Sequence, residues 1–419
     1  MFAKSRLTSG ERGVPAAVFR KGLNLKHAVA GTLATDYHSQ LIDEIKNSNF
    51  TWRNGRLVVH LAAEFGFCYG VDRAVDYAYQ TRARFPDQRV YLTGEIIHNP
   101  QVNALLRQAG VGFLSDPGQS VEQVDAADVV ILPAFGVSVD ALQQLDRRGC
   151  TLIDTTCGSV LNVWKAVKRY TAEGFTAVIH GKVHHEETKA TASQALLAEN
   201  GRYLIILDRD EATLVCDFIR GRTSVDQFRA AFSEACSPGF DPVTDLCRVG
   251  LANQTTMLMS ESVEIGEMIR LAMIAQYGPD VVDNHYQAFE TICSATQDRQ
   301  DAVNSLLSGQ RFDLAVVIGG YNSSNTRNLA RICAERLPTY HIAEANCLVS
   351  VKDIRHRPAC GLPPAGGTGN VAEITSSNWL PVNDVVHIAI TAGASTPDSI
   401  VGDVISRLAT FVNESSVSS

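Results

Sequence analysis

The sequence predicts an α/β protein made of several similar parallel-sheet units that share one site. Three observations carry this expectation. Short apolar runs alternate with amphipathic stretches of helical period along nearly the whole chain. Each apolar run opens into a turn of Gly, Ser, Thr, Asn or His before the helix begins. The length of 419 residues also exceeds what a single hydrophobic core usually holds.

The pairs follow in order. The run 57–61 leads through Phe65-Gly66-Phe67-Cys68 to a helix from Val71, and 90–92 leads through Ile97-His98-Asn99-Pro100 to a helix over 102–108. The run 129–132 opens into Phe135-Gly136-Val137-Ser138 and a helix over 139–145. The run 151–153 opens into Thr155-Thr156-Cys157 and a helix over 160–170. Further along, 177–179 precedes His184-His185-Glu186-Glu187 and a helix near 190–197, and 249–251 precedes Asn253-Gln254-Thr255-Thr256 and a helix over 260–274. The last two pairs are 314–318 with Asn322-Ser323-Ser324-Asn325 and 326–336, and 386–390 with Ala392-Gly393-Ala394-Ser395 and 397–408. Such alternation implies parallel sheets with helices on their faces. Ligands of these sheets bind beyond the carboxyl ends of the strands, where the polar turns fall.

The expected divisions are an N-terminal extension over 1–55 with a helix near 38–46, α/β units over 56–153, 154–290 and 291–412, and a loose tail over 413–419. Residues 208–248 interrupt the alternation and read as an insertion with its own helix over 225–235. Composition is that of a folded enzyme, 45% hydrophobic and 20% charged. The net charge of −8 argues against a nucleic-acid partner, which needs clustered Lys and Arg. No apolar run approaches the roughly 18–20 residues of a membrane helix, so no membrane partner is expected. The first 27 residues hold six Lys or Arg against one acid, Glu11, a weak resemblance to a transit peptide. Lacking serine richness and an amphipathic repeat, that segment favours a cytoplasmic location over a plastid stroma.

Ten cysteines are many for this length, yet none forms a Cys-x-x-Cys pair. Cys68, Cys157 and Cys293 each follow an extended run and stand where a helix starts. Free N–H groups and the helix dipole at such positions favour thiolate. Three thiolates from three units suit a cubane iron–sulfur cluster that leaves one iron open; buried small hydrophobes are the alternative. Cys150, Cys216, Cys236, Cys247, Cys333, Cys347 and Cys360 lack this placement and read as structural.

The turn Asn322-Ser323-Ser324-Asn325-Thr326 and the turn Gly393-Ala394-Ser395-Thr396 put several donors at helix starts. They suit an anion such as phosphate, or ordinary capping. No Walker A or Gly-x-Gly-x-x-Gly fingerprint accompanies them. His98 and His185 stand in strand-end turns where an imidazole can donate to phosphate. Glu187 is a candidate proton carrier, since a carboxyl closed in beside an anion titrates high; a solvated acid at a helix start is the alternative. Thr255 can bond a substrate hydroxyl or cap the next helix.

Together these strings resemble the 4-hydroxy-3-methylbut-2-enyl diphosphate reductase family, in the longer form of cyanobacteria and plants. The resemblance rests on Gly66-Phe67-Cys68-Tyr69-Gly70-Val71-Asp72-Arg73, Glu95-Ile96-Ile97-His98-Asn99-Pro100, Asp154-Thr155-Thr156-Cys157, His180-Gly181-Lys182 and His185-Glu186-Glu187-Thr188. It continues through Asn253-Gln254-Thr255-Thr256, Ile292-Cys293-Ser294-Ala295-Thr296-Gln297, Asn322-Ser323-Ser324-Asn325 and Thr391-Ala392-Gly393-Ala394-Ser395-Thr396-Pro397-Asp398, in the expected order.

The resemblance implies three α/β units around a central iron–sulfur site. It implies a [4Fe–4S] cluster on Cys68, Cys157 and Cys293 with one open iron. His98, His185, Ser323, Ser324, Asn325 and Ser395 would bind the diphosphate, with Thr255 near the substrate hydroxyl and Glu187 as proton donor. The implied reaction is reductive dehydroxylation of the allylic diphosphate to isopentenyl and dimethylallyl diphosphate, the last step of the methylerythritol phosphate route. Electrons would come from an external ferredoxin- or flavodoxin-like donor.

Two positions depart from the family pattern. Phe135 stands where a histidine is usual, leaving His184 or a backbone N–H to substitute, and Gly158 replaces a proline after the second cysteine. Two rival functions follow from the same residues: a non-catalytic iron–sulfur diphosphate-binding or regulatory protein, and a zinc-thiolate hydrolase or transferase. Colour separates the second, because an iron–sulfur protein purified without oxygen is brown.

Overall fold

A computed structural model describes residues 17–289, 292–359 and 372–414. Three twisted sheets dominate it, and each is rich in parallel pairing. The first orders its strands Val18–Phe19, Thr151–Asp154, Val129–Leu132, Val90–Leu92 and Val111–Phe113 from edge to edge. The second orders Tyr286–Ala288, Val249–Asn253, Thr176–His180 and Tyr203–Ile206. The third orders Thr339–Ile342, Leu314–Ile318, Val386–Ala392, Leu57–Leu61 and Thr51–Asn54. A short antiparallel pair, Asp353–His356 with Ile374–Ser377, flanks the third sheet.

The central strands are buried on both faces, as continuous rather than alternating apolar runs require. Every residue of Leu314–Ile318 and of Thr176–His180 is buried. Ile388, Ile390, Val401 and Ile405 pack on one face of the third sheet with Leu57 and Leu61. Each such side chain contributes about 1.5–3 kcal/mol on leaving water.

The sheets cut across the sequential divisions expected from the chain. Leu57–Leu61 does not join the unit that follows it; it pairs in parallel with Val386–Ala392, from Val386 opposite Leu57 to Ile390 opposite Leu61. The residues of the expected extension pack into the fold. Val18–Phe19 adds an edge strand beside Leu152 and Ile153. Lys26–Tyr37 forms a helix whose Tyr37 hydroxyl meets Tyr79 at 2.9 Å, and Thr51–Asn54 pairs with Leu57–Leu61. Within 208–248 the alternation persists longer than expected, because Tyr203–Ile206 is a sheet strand and Arg209–Ile219 is its helix. The inserted part contains the Val225–Phe232 helix with a Ser224–Gln227 capping box. Of the tail, Asn413 and Glu414 complete the Asp398–Glu414 helix, and 415–419 lie outside the described residues.

Candidate active site

The carboxyl ends of the strands meet around one small cavity of about 110 Å³. All eleven residues singled out from the sequence line it: Cys68, Cys157, Cys293, His98, His185, Glu187, Thr255, Ser323, Ser324, Asn325 and Ser395.

Each of the three cysteines is the N-cap of its helix, Tyr69–Arg84, Gly158–Ala172 and Ser294–Gly309, and each has extended backbone with no side-chain cap bond. The sulfurs are thus aimed by the helix start without serving it. Two of them share the space above Gly70. A Cβ at that position would lie 2.6 Å from Cys157 Sγ and 4.0 Å from Cys68 Sγ, so glycine is required there. At Cys293 burial outweighs the helix dipole: the thiol is pushed up to about 11, while bonds from Thr296 pull it partway back. A buried thiol of that kind gives up its proton to a metal rather than to water.

The donor set fits an iron–sulfur cluster better than a single ion. Zinc with bonds of about 2.3 Å would draw thiolates to ~3.8 Å of one another. Among the described residues, the three potential ligand atoms within 4.8 Å of one another belong to His98, His185 and Glu186, not to the cysteines. Three sulfurs spaced more widely around one cavity suit a multinuclear centre. Of the remaining cysteines, Cys150, Cys216, Cys333 and Cys347 are buried and Cys236 and Cys247 are half-buried away from the cavity; Cys360 lies outside the described residues.

Opposite the sulfurs lie polar groups with unused bonding capacity. Asn325 Oδ1 accepts from Ala394 N at 3.0 Å, which leaves its buried Nδ2 without a partner. Ser323 Oγ accepts from Thr326 N, and its proton remains to donate. Ser324 Oγ accepts from Lys182 Nζ at 2.7 Å and from Gln254 Nε2 at 3.3 Å, so its own proton points elsewhere. His185 Nδ1 accepts from Glu187 N at 3.2 Å, which puts the imidazole proton on Nε2. Burial, then His98 and Lys182, hold His185 well below the usual histidine range, so it is neutral. His98 Nδ1 bonds Glu95 at 2.8 Å, and its buried Nε2 has no hydrogen-bond partner. Ser395 donates to the His98 carbonyl at 3.3 Å. With Asn325 Nδ2 and His98 Nε2 buried and unpartnered beside hydroxyls able to donate, the cluster calls for an acceptor-rich ligand.

Glu187 is buried, with Thr255 N donating to its Oε1 at 2.6 Å. Desolvation raises its pKa from 4.5 to about 6, against the lowering effect of Thr255 and His98. It is therefore not a solvated acid at a helix start.

Phe135 supplies a ring face where a donor was wanted: it stacks on His98 at 4.8 Å and 10°. His184 does not replace it, since it lies across a wider outer cavity, 3.9 Å from Glu234. Three supporting residues escaped the sequence reading. Arg299 is buried and donates to the Gly66 carbonyl at 2.7 Å, fixing the turn that carries Cys68. Asn99 Nδ2 donates to the Ser395 carbonyl, tying two sheets together. Gln254 joins Thr188, Lys182 and Ser324 through one amide. Gln254 and Asn99 sat inside the quoted motifs; Arg299 followed one and had no signal of its own.

The chain is similar to known proteins along most of its length. The family model described as LytB protein matches residues 59–409. A 4-hydroxy-3-methylbut-2-enyl diphosphate reductase of Thermosynechococcus vestitus is 47% identical over 93% of both chains. One of Rippkaea orientalis is 45% identical over the same shares. The solved structure of the E-1-hydroxy-2-methyl-but-2-enyl-4-diphosphate reductase from Plasmodium falciparum shares the fold, with a TM-score of 0.58 at 20% identity, over 84% of this chain and 88% of that one. The chain belongs to the LytB family, together with the cyanobacterial 4-hydroxy-3-methylbut-2-enyl diphosphate reductases.

Proposed function

We propose that this chain reduces 4-hydroxy-3-methylbut-2-enyl diphosphate, removing its hydroxyl group to give isopentenyl and dimethylallyl diphosphate. The observation that carries the reading is the convergence of three cysteines free of capping duty, a set of unsatisfied donors and one protonatable acid on a single cavity. Cys68, Cys157 and Cys293 would hold a [4Fe–4S] cluster with one open iron. When bound, that cluster supplies a Lewis-acid site for the substrate oxygen and a conduit for electrons.

The protein's own groups do the rest. Ser323, Ser324, Asn325 and His185 Nε2 hold the diphosphate by neutral hydrogen bonds, and Ser395 joins them by turning its hydroxyl from the His98 carbonyl. His98, whose Nδ1 bonds Glu95, adds its unpartnered Nε2 to the set. Anchoring the diphosphate fixes where the other end of a five-carbon chain can reach, which is the positional part of the rate enhancement. Thr255 N holds Glu187 Oε1, leaving Oε2 to carry the proton beside the substrate hydroxyl. The stoichiometry is two electrons and two protons taken up, with the C–O bond broken, one C–H bond formed and water released. The electrons come from a ferredoxin- or flavodoxin-like donor.

The test is an anaerobic assay of reconstituted protein with the hydroxylated diphosphate and a chemical reductant. Formation of both five-carbon diphosphates is expected. A brown protein that binds the diphosphate without reducing it would instead identify a regulatory member of the family, and a colourless zinc protein would refute the reading.

A further inference from the structure

Outside the inner cavity, and sharing His98 and His185 with it as a wall, lies a wider basin of about 810 Å³. Lys182, Arg327 and Arg357 line it. Lys182 belongs to the His180-Gly181-Lys182 motif, to which the reaction above assigns no role. Gly181 is packed so closely that a Cβ would lie 2.8 Å from Thr188 Oγ1 and 3.0 Å from Gln254 Cβ. With Lys182 N donating to Gln254 Oε1, the turn is fixed and its ammonium reaches across to Ser324 at 2.7 Å.

Among the described residues none of these three cations, Lys182, Arg327 and Arg357, forms an ion pair. Lys182 rests on a neutral hydroxyl, and Arg357, only 4% exposed, donates to the Tyr321 carbonyl at 2.6 Å while its buried Nε has no partner. Burial, then Arg327, Arg357 and Arg331, push Lys182 down to about 7, and burial with Arg357 and Arg331 lowers Arg327. The acids that line the basin have neighbours of their own. Glu95 and Glu186 face His98 at 2.8 and 3.8 Å, Glu234 faces His184, and Glu211 accepts from Leu207 N.

We propose that Lys182, Arg327 and Arg357 form a cationic outer subsite that receives the diphosphate group of the substrate and passes it, through the Lys182–Ser324 contact, to the neutral inner donors. The proposal rests on the function given above. Like charges held together without a counter-ion are costly, and a phosphoanion removes that cost. A basin of one sign also raises the rate at which an anion arrives.

The experiment uses full-length reconstituted protein carrying Lys182→Gln, Arg327→Gln or Arg357→Gln, with kcat and KM measured across ionic strength. Each neutral variant is expected to raise KM about ten-fold, with a smaller effect on kcat, and to flatten the fall of kcat/KM with salt. Lys182→Arg, Arg327→Lys and Arg357→Lys should restore most of the loss. In a second arm, calorimetric titration with inorganic diphosphate should show about ten-fold weaker binding in the neutral variants. That arm needs no turnover, so a chain that fails to reduce the substrate would refute the functional reading while the subsite is still decided. Unchanged KM, salt slope and inorganic diphosphate affinity would overturn the proposal. So would charge-keeping variants as impaired as the neutral ones, since that pattern belongs to packing.

Discussion

Glu187, as a buried carboxyl, makes stability depend on pH. Its carboxyl titrates at about 6 in the folded chain and 4.5 in the open one, so the folded state holds the extra proton between those values. Stability from this group is complete below pH 4.5 and falls as pH rises through 6. Glu187→Gln should therefore stabilise the metal-free protein by up to about 2 kcal/mol at pH 7 and by almost nothing at pH 4, measured by urea unfolding. The same variant should abolish turnover while leaving the iron content intact. In the unsubstituted enzyme kcat should decline above about pH 6 as the proton is lost. The candidate residues were legible in the sequence because turns at strand ends expose them as short polar strings. Their partners were not: nothing in the flanking Asp298 and Gln300 distinguishes Arg299, whose role comes from meeting Gly66 across the fold.

At the scale of elements, the recurring device is a helix that begins on a cysteine. Extended backbone at Cys68, Cys157 and Cys293 points each sulfur away from the first helical turn. That turn must also be narrow where sulfurs meet. Gly70→Ala would set a methyl against Cys157 Sγ, and is expected to cut iron and sulfide incorporation several-fold while far-ultraviolet circular dichroism stays native. Unchanged incorporation would refute the crowding argument. Long apolar runs such as Leu314–Ile318 were readable as strands because five buried residues in a row leave no other use. Val111–Phe113 and Tyr203–Ile206 were not, being short and bounded by residues common in loops. The thiolate-favouring dipole expected at helix starts is present, yet at Cys293 desolvation outweighs it.

For the whole molecule, sheet membership was the hardest property to read. Strand order depends on which edges meet, and Leu57–Leu61 finds its neighbour more than three hundred residues away in Val386–Ala392. The pairing interlocks the beginning and end of the chain, and the extension reinforces it through Lys46 with Asp398 at 2.7 Å. Among the described residues no helix is long and apolar enough to cross a membrane.

The three sheets each send one cysteine to the centre: Cys68 from the third, Cys157 from the first and Cys293 from the second. On the proposed function, an inorganic knot tied by one thread from each body would be a clasp as well as a reagent. Air that dissolves it should loosen all three bodies together, so that oxidised protein is cut by trypsin faster than the anaerobic form, and at linkers rather than within sheets.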